Sequence, residues 1–396
     1  MQPVPRDRSI LAGVIFVTLL GQVVLYPGVA ELVAALGATT DLDASMWFLA
    51  VEFAAFIAFA GVWGLVSDRT GRRVPFIAVG AALAATCLLG LAIAGQLTDL
   101  TFSTVLAIRL LQGIGGIGAF SLAITMLMDL GGGHGRNMGA AGIAIGSGTA
   151  LGAPVGGALA SAHPLAPLGL AGGLFLCIVP LVALVTDRAP RSDRPTVARV
   201  LGDLRAHPAL TVPFAFGFID RLTAGTFSLV GVFFFRELFG LSPAQIGLML
   251  MLFFAPFALL QYPMGMVSDR IGRFVPVVGG SLCYGAGVMA VGQSPTLFAA
   301  GLLLVLVGVF GALVAPATMA LVTDIIPARR RATAMAGFNV AGSIGFLTGI
   351  IAGGLLADAY GFAVAFAVVG SLEVLIALAA IPAFRRYGIG APTPTA

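Results

Sequence analysis

Twelve long apolar runs constrain this chain more strongly than any other feature of its sequence. Each run holds roughly 18–28 residues, and a helix of that length crosses a bilayer core of about 30 Å. Of the 396 residues, 59% are hydrophobic and 10% are charged, whereas about 25% of the residues in soluble proteins are charged. The sequence therefore predicts an all-α membrane protein with twelve transmembrane helices, at residues 9–36, 44–66, 75–97, 101–130, 138–161, 166–186, 208–236, 243–267, 274–294, 296–326, 332–358 and 362–384.

The arginines predict the orientation of these spans. All 21 basic residues are arginine, and with the N-terminus inside, 18 of them fall on inner loops and tails. The other three are Arg109 and Arg221, within spans, and Arg236, at an outer loop. The positive-inside rule then predicts a multi-pass protein of the inner or plasma membrane with both termini cytoplasmic. Arginines scattered in this way do not indicate nucleic-acid binding. The first apolar run is too long for a signal peptide, so we expect it to be the first span.

The chain also repeats itself. A polar stretch divides it into an N-terminal six-helix bundle at 1–187, a linker with an amphipathic helix at 188–207, and a C-terminal six-helix bundle at 208–396. A short charged hinge follows the second span of each half, as GLVSDRTGRR at Gly64–Arg73 and GMVSDRIGRF at Gly265–Phe274. Two related, pseudo-symmetric halves are typical of transporters that rock around a substrate site at the membrane midplane.

Four stretches carry a resemblance to a known family. They are the hinge, which occurs twice, RLLQGIGGIG at 109–118, GTALGAPVGGALA at 148–160 and LGQVVLYPG at 20–28. Together with the twelve spans they resemble the major facilitator superfamily, in particular its twelve-helix drug:proton antiporters. The resemblance implies transport by alternating access, small-molecule substrates, coupling to protons and a monomer in the lipid bilayer.

The hinges are candidates for a latch that forms and breaks during transport. Their glycines permit tight turns, and each aspartate can accept hydrogen bonds from nearby arginines. The alternative is a short cytoplasmic turn whose arginines only set the topology. The candidate residues are Gly64, Asp68, Arg69, Gly71 and Arg72 in the first hinge, and Gly265, Asp269, Arg270, Gly272 and Arg273 in the second.

Spans four and five carry the two other motifs that bear on mechanism. The resemblance ties Arg109 to proton transfer, and the alternative is a purely structural buried ion pair. In span five, small residues allow close helix packing; the candidate residues are Gly148, Gly152, Pro154, Gly156 and Gly157. Because Ala153 separates Gly152 from Pro154, this motif is shifted by one residue from the pattern of the antiporters.

Ionisable side chains within spans are expected to be functional. From a rise of about 1.5 Å per residue, Glu52, Arg109 and Asp220 should lie in one layer about 12 Å below the outer face. We expect Glu52 to carry the proton, Arg109 to control its proton affinity, and Asp220 with Arg221 to supply a second carrier or a substrate anchor. The alternative is a fixed network between helices. Glu373, in span twelve, is expected to hydrogen-bond while protonated or to act in transport.

The remaining polar side chains suggest the kind of substrate. The residues expected to line a cavity are Gln22, Tyr26, Gln112, Tyr262 and Asn339. Phenylalanines dominate the aromatic residues, at 28 against 5 tyrosines and 2 tryptophans. A cavity of this kind suits lipophilic and cationic molecules better than sugars, which need many hydrogen-bond partners.

The sequence does not indicate an enzyme. It has no phosphate-binding loop or metal-ligand cluster, so no cofactor and no metal are expected. The favoured function is proton-coupled efflux. The alternatives are a proton-coupled importer or a lipid or metabolite exporter of the same fold, and a sensor that binds a ligand without transporting it.

Overall fold

A computed structural model describes residues 4–38, 41–131, 134–187, 197–327 and 330–389, and within these ranges the regular structure is entirely helical. The helices are α1 (Val4–Val23), α2 (Val29–Ala35), α3 (Leu42–Thr70), α4 (Val74–Leu97), α5 (Phe102–Asp129), α6 (His134–Ala162), α7 (Ala166–Val182), α8 (Val197–Ala206), α9 (Thr211–Thr226), α10 (Val232–Phe239), α11 (Pro243–Ile271), α12 (Gly280–Val291), α13 (Leu297–Ile325), α14 (Arg331–Tyr360) and α15 (Phe362–Tyr387).

Helices occupy all twelve predicted spans, which confirms the predicted fold class. Among the described residues, nine helical segments are long and apolar enough to cross a membrane by themselves. Two shorter apolar segments, Ala166–Val182 and Val275–Val291, fill the sixth and ninth spans. The first span consists of α1 and α2.

Three spans are irregular in ways that the sequence did not predict. The first span breaks at 24–28, where Pro27 lacks an N–H group to continue the helical hydrogen bonds. This turn leaves the side chain of Tyr26 only 2% exposed. Single π-helical turns, Phe227–Gly231 and Val275–Gly279, interrupt the seventh and ninth spans. Such turns are often found at functional sites.

The chain divides into two units by its internal contacts. Unit 1 comprises Met1–Ser192 and Phe235–Met251, and unit 2 comprises Asp193–Phe234 and Leu252–Ala396. The predicted boundaries at 187 and 208 stay a prediction, and part of the predicted linker, residues 188–196, lies outside the described residues.

In unit 1, glycines bring α6 directly against α1. A Cβ atom placed on Gly148 would lie 2.8 Å from the carbonyl oxygen of Phe16, and one on Gly152 would lie 2.8 Å from Cβ of Val23. A Cβ on Gly156 would overlap the backbone at Val24. Any larger residue at these positions would therefore push the two helices apart.

Unit 2 repeats this arrangement between α14 and α9. Side chains at Gly345 and Gly349 would overlap the carbonyl groups of Phe218 and Leu222. The hydroxyl of Thr226 also donates a hydrogen bond to the carbonyl oxygen of Gly349, at 3.2 Å. The four-residue spacing of the glycines is the same as on α6, so both units use the same close helix pair.

The short helix α8 is fastened to unit 2. Arg330 donates a hydrogen bond to Asp203 at 2.5 Å, and the Asp203 side chain is only 8% exposed. Leu204 packs against the end of a buried apolar cluster (Leu210, Val322, Ile326, Ala334 and Phe338). Leu204 of α8 is therefore covered by unit 2, whereas Arg199 and Arg205 of the same helix are exposed.

Candidate functional site

The core of the candidate site is a buried ion pair between α3 and α5. Nη2 of Arg109 donates to Oε2 of Glu52 at 2.5 Å. Arg109 is fully buried and Glu52 is 1% exposed. The two residues that the sequence predicted to work together are therefore in direct contact.

Gln112 completes this network by bonding to both charged groups. Its amide oxygen accepts from Nη1 of Arg109 at 2.7 Å, and its amide nitrogen donates to Oε1 of Glu52 at 3.2 Å. Arg109 and Gln112 share a face of α5 because residues three apart are neighbours on a helix. We call Glu52, Arg109 and Gln112 the Glu52 network; the expected place of Gln112 in a substrate cavity stays a prediction.

The backbone and one aromatic ring satisfy the rest of the guanidinium group. Nε of Arg109 donates to the carbonyl oxygen of Phe48 at 3.3 Å, and the guanidinium carbon lies 4.2 Å from the centre of the Phe48 ring. An aromatic face attracts a cation, and the attraction is stronger away from water. The positive charge of Arg109 is thus held on three sides.

A glycine allows the two helices to come this close. A Cβ atom on Gly113 would lie 2.8 Å from the carbonyl oxygen of Glu52 and 2.9 Å from Cβ of Ala55. The small residue lets the α3 backbone pack directly on α5 at the level of the ion pair. A larger residue at position 113 would therefore lengthen the contact between Glu52 and Arg109.

Two predicted cavity residues of the first span are buried. Tyr26 is 2% exposed. Gln22 is also buried, and its amide nitrogen has no hydrogen-bond partner among the residues that the structure describes. A buried donor without a partner is costly, and it is a ready contact for a bound molecule.

The other predicted ion-pair residues lie in unit 2. Asp220 and Arg221 are half-buried on α9. Nη2 of Arg221 donates to the side-chain oxygen of Asn339 at 3.4 Å, and the guanidinium group lies over the ring of Phe338. Two predicted residues, Arg221 and Asn339, are thus in contact, whereas Tyr262 is 79% exposed. A common layer with Glu52 stays a prediction.

The first hinge is organised by an arginine that the sequence analysis did not select. Arg73 is fully buried, forms an ion pair with Asp129 at the end of α5, and lies 3.8 Å from Asp68. Gly71 adopts a left-handed conformation with φ of 67°, as the predicted tight turn requires. Arg69 and Arg72, which were selected, are exposed.

The second hinge makes contacts like those of the first, but its bonding arginine lies one residue earlier in the aligned sequence. Arg273 bonds to Asp269 at 2.6 Å and to Asp324 at 3.1 Å, and Gly272 has φ of 85°. In sequence, Arg273 aligns with Arg72, but its contacts correspond to those of Arg73. Both hinges therefore tie the end of one helix to an aspartate at the end of another, with a shift of one residue in the arginine.

Asp129 and Asp324 complete the hinges, and a signal for them was present. Both occupy the matching position in the repeated ends of spans four and ten, MLMDLGGGHGRNMGAAG and LVTDIIPARRRATAMAG. The repeat of a carboxylate near repeated arginines predicts an ionic contact.

A third ionic group lies within unit 1 at Arg236. Its Nε atom is 3.1 Å from Glu31, and its Nη1 atom is 2.8 Å from Asp41. The sequence signal was the isolation of Arg236 as the single arginine expected at an outer loop.

Two glycines make close backbone contacts between α6 and the start of α11. Gly157 of α6 lies against Pro243, and Gly247 of α11 lies against Ala153.

Comparison with known proteins decides the family. The family model of the Major Facilitator Superfamily matches residues 11–235 and again 214–395. The chain belongs to the Major Facilitator Superfamily. It is therefore a multi-pass membrane transporter, as the twelve spans and the repeated hinges predicted.

Relatives within the Major Facilitator Superfamily match only part of their length. An uncharacterised transporter of Methanocaldococcus jannaschii is 30% identical over 144 residues, which cover 36% of this chain and 37% of that protein. The inner membrane transport protein YajR of Escherichia coli is 32% identical over 122 residues, covering 31% and 26%. The multidrug resistance protein MdtG of Escherichia coli is 31% identical over 111 residues, covering 28% and 27%.

Solved structures of transporters share the complete fold. A bacterial homologue of the human lysosomal transporter Spinster, inward-facing and occupied, superposes with a TM-score of 0.77 at 16% identity, covering 98% of this chain and 97% of that one. A D-xylose–proton symporter gives a TM-score of 0.77 at 16% identity, covering 98% and 99%. At this identity the likeness concerns the fold.

Proposed function

We propose that this transporter exports lipophilic molecules, cations among them, in exchange for protons by alternating access. The observation that carries the proposal is the Glu52 network. In it a carboxylate contacts an arginine between two helices long and apolar enough to cross a membrane, with almost no exposure of either group. Charged groups in such positions commonly mark proton relays and ion pathways.

Proton binding and the ion pair exclude each other in this network. While Arg109 lies 2.5 Å from Glu52, the nearby cation favours the charged carboxylate. If Arg109 moved away from Glu52, the dry surroundings would favour the neutral carboxyl group. A conformational change that separates Glu52 from Arg109 would therefore bind a proton, and its reversal would release it.

The contents of unit 1 support a lipophilic substrate. Gln22 has a buried donor without a partner among the described residues, and Tyr26 supplies a buried aromatic side chain in the same span. MdtG, by its name, is a multidrug resistance protein, which favours the same substrate class.

For the whole molecule we further propose a monomer of the inner or plasma membrane, with cytoplasmic termini. We also propose two bundles, at 1–187 and 208–396, and hinges that act as latches.

The proposal is tested by substrate-driven proton movement in liposomes that contain the purified protein and an internal pH-reporting dye. Lipophilic cations, neutral drugs, sugars and amino acids are added one at a time. We expect lipophilic compounds alone to move protons, in the direction opposite to themselves. The Glu52→Gln variant should lose this proton movement, whereas Asp43→Asn, which removes an exposed carboxylate from the same helix, should keep it.

The outcomes separate the alternatives. Protons that travel in the same direction as a sugar or an amino acid would replace efflux by import. Full proton coupling in a folded Glu52→Gln protein would refute the role of Glu52. Because that change leaves a buried cation, the double variant Glu52→Gln/Arg109→Gln is measured beside it; it removes both charges and should also lack coupling.

A further inference from the structure

Asp187 reaches the first hinge from a part of unit 1 that the hinge motif does not include. It lies in the short segment that follows α7. Its Oδ1 atom accepts a hydrogen bond from the backbone N–H of Arg73 at 2.9 Å and another from that of Val74 at 3.3 Å. A carboxylate 114 positions away in the sequence therefore binds the start of α4.

Among residues 73–77, only these two N–H groups need an acceptor from outside the helix. Phe76 and Ile77 both donate to the carbonyl oxygen of Arg73, and Pro75 has no N–H group to satisfy. The residue at the helix start, Arg73, supplies no capping bond from its own side chain. Because a negative charge is favourable at a helix N-terminus, the distant carboxylate supplies both the missing acceptor and a suitable charge.

The side chain of Arg73 depends on the position of its backbone. Nη1 donates to Asp129, whereas Nε and Nη2 make no hydrogen bond with any residue that the structure describes. Nη2 lies 3.8 Å from Asp68. Because Arg73 is fully buried in a closely packed interior, it has no room to leave Asp129 unless the start of α4 moves. The bonds to Asp187 oppose that movement.

The second hinge is closed by a different contact. Phe274 takes the position that Arg73 has in the first hinge. Its ring packs edge-on against that of Phe384 near the end of α15, with 5.3 Å between the ring centres. Residues 385–396 contain no aspartate or glutamate that could act as Asp187 does. The sixth and twelfth spans therefore both reach a hinge, the first through a carboxylate and the second through an aromatic ring.

We infer that Asp187 is a positioning residue of the first hinge, which caps α4 and so holds Arg73 against Asp129. The arginine is then fixed by two carboxylates from different parts of unit 1, one at its side chain and one at its backbone. In the proposed efflux cycle, on which this last step alone rests, release of the cap would accompany opening of the latch. Asp187→Ala should then slow transport, as Arg73→Gln should.

Amide hydrogen exchange, followed by mass spectrometry, tests the cap without substrate or a pH gradient. Purified wild-type protein and Asp187→Ala are compared in lipid, in peptides that contain residues 73–77. We expect exchange there to become about five-fold faster, the effect of losing one helix cap. Asp187→Asn keeps a side-chain oxygen that can accept both bonds, so it should restore most of the protection. Asp99→Ala, which removes an exposed aspartate of the same unit, should change nothing.

A double-mutant cycle separates a positioning role from a merely structural one. The interaction between Arg73 and Asp129 is measured from the Tm values of Arg73→Gln, Asp129→Asn and the double variant. The cycle is then repeated in the Asp187→Ala background. If Asp187 positions Arg73, the non-additive part of the Tm shift should largely disappear there, and it should return with Asp187→Asn.

Two results would overturn the inference. Unchanged exchange at residues 73–77 in Asp187→Ala would show that the carboxylate does not cap α4. An undiminished interaction between Arg73 and Asp129 in the same background would show that the cap has a structural role only. Because neither measurement involves transport, the inference and the efflux proposal can fail independently.

Discussion

The Glu52 network makes an unequal prediction for its two charged members. Glu52→Gln leaves Arg109 buried without a counter-charge, and an arginine cannot lose its proton. Arg109→Gln leaves Glu52 buried, but a carboxylate can become neutral by taking up a proton. The loss of Glu52 should therefore destabilise the protein more than the loss of Arg109.

The structure sets the size of the effect. Both side chains are at most 1% exposed and lie 2.5 Å apart, so they form a desolvated pair. Removing one member of such a pair costs about 3–5 kcal/mol. For a unit of about two hundred residues, 1 kcal/mol corresponds to roughly 2–4 °C in Tm. We expect Glu52→Gln to lower the Tm by about 6–20 °C.

The assay is thermal unfolding of the purified protein in detergent, measured by intrinsic fluorescence. The set comprises wild type, Glu52→Gln, Arg109→Gln and the double variant. Arg69→Gln, at an exposed position, serves as the control for loss of an arginine. The double variant should be more stable than Glu52→Gln alone, since no unpaired charge remains. Arg109→Gln should become more stable as the pH falls, because acid neutralises the remaining carboxylate.

Additive effects would refute this reasoning. If the loss in the double variant equals the sum of the two single losses, the two side chains do not interact energetically. The same conclusion would follow if Glu52→Gln were no worse than Arg69→Gln.

Two further predictions concern the hinges and the helix packing. Arg73→Gln should lower the free energy of unfolding by about 1.5–3 kcal/mol through the lost bond to Asp129, and it should slow transport. Arg72→Gln should have little effect on Tm or on the transport rate. Equal effects of the two changes would show that the one-residue shift between the hinges has no consequence. Gly156→Ala should lower stability by about 1–3 kcal/mol through overpacking against the backbone at Val24. Gly142→Ala, on an open face of α6, should instead raise stability slightly in the same melting assay, because alanine is the better helix former. A neutral Gly156→Ala would mean that the two helices can separate at no cost.

The spans and the main ion pair were predictable because each depends on a single free-energy cost, that of exposing apolar residues to water or of burying an unpaired charge. Apolar runs must avoid water, and their lengths are set by the bilayer. An arginine in a span needs a partner, and Glu52 was one of two carboxylates, with Asp220, expected at the same depth as Arg109. The direct contact between them follows from these two costs.

The details depend on packing, which the sequence pattern does not record. Alignment of the hinges pairs Arg72 with Arg273, but the turn after Gly71 buries Arg73 instead. The glycines of α14 follow the same spacing as those of α6, although the sequence analysis selected only those of α6. Glu373 was identified as a charge within a span, but its close contact with Gly285 depends on how α12 and α15 pack.

The glycine contacts have a practical consequence for measuring motion in this protein. Because α6 lies on α1, and α14 on α9, with backbones in contact, neither pair can change its separation without breaking that contact. Probes attached to the two members of a pair should report a constant distance under all conditions. The distance within each pair therefore serves as a fixed reference. Distances between probes at other positions can be compared with it while substrate and pH are varied.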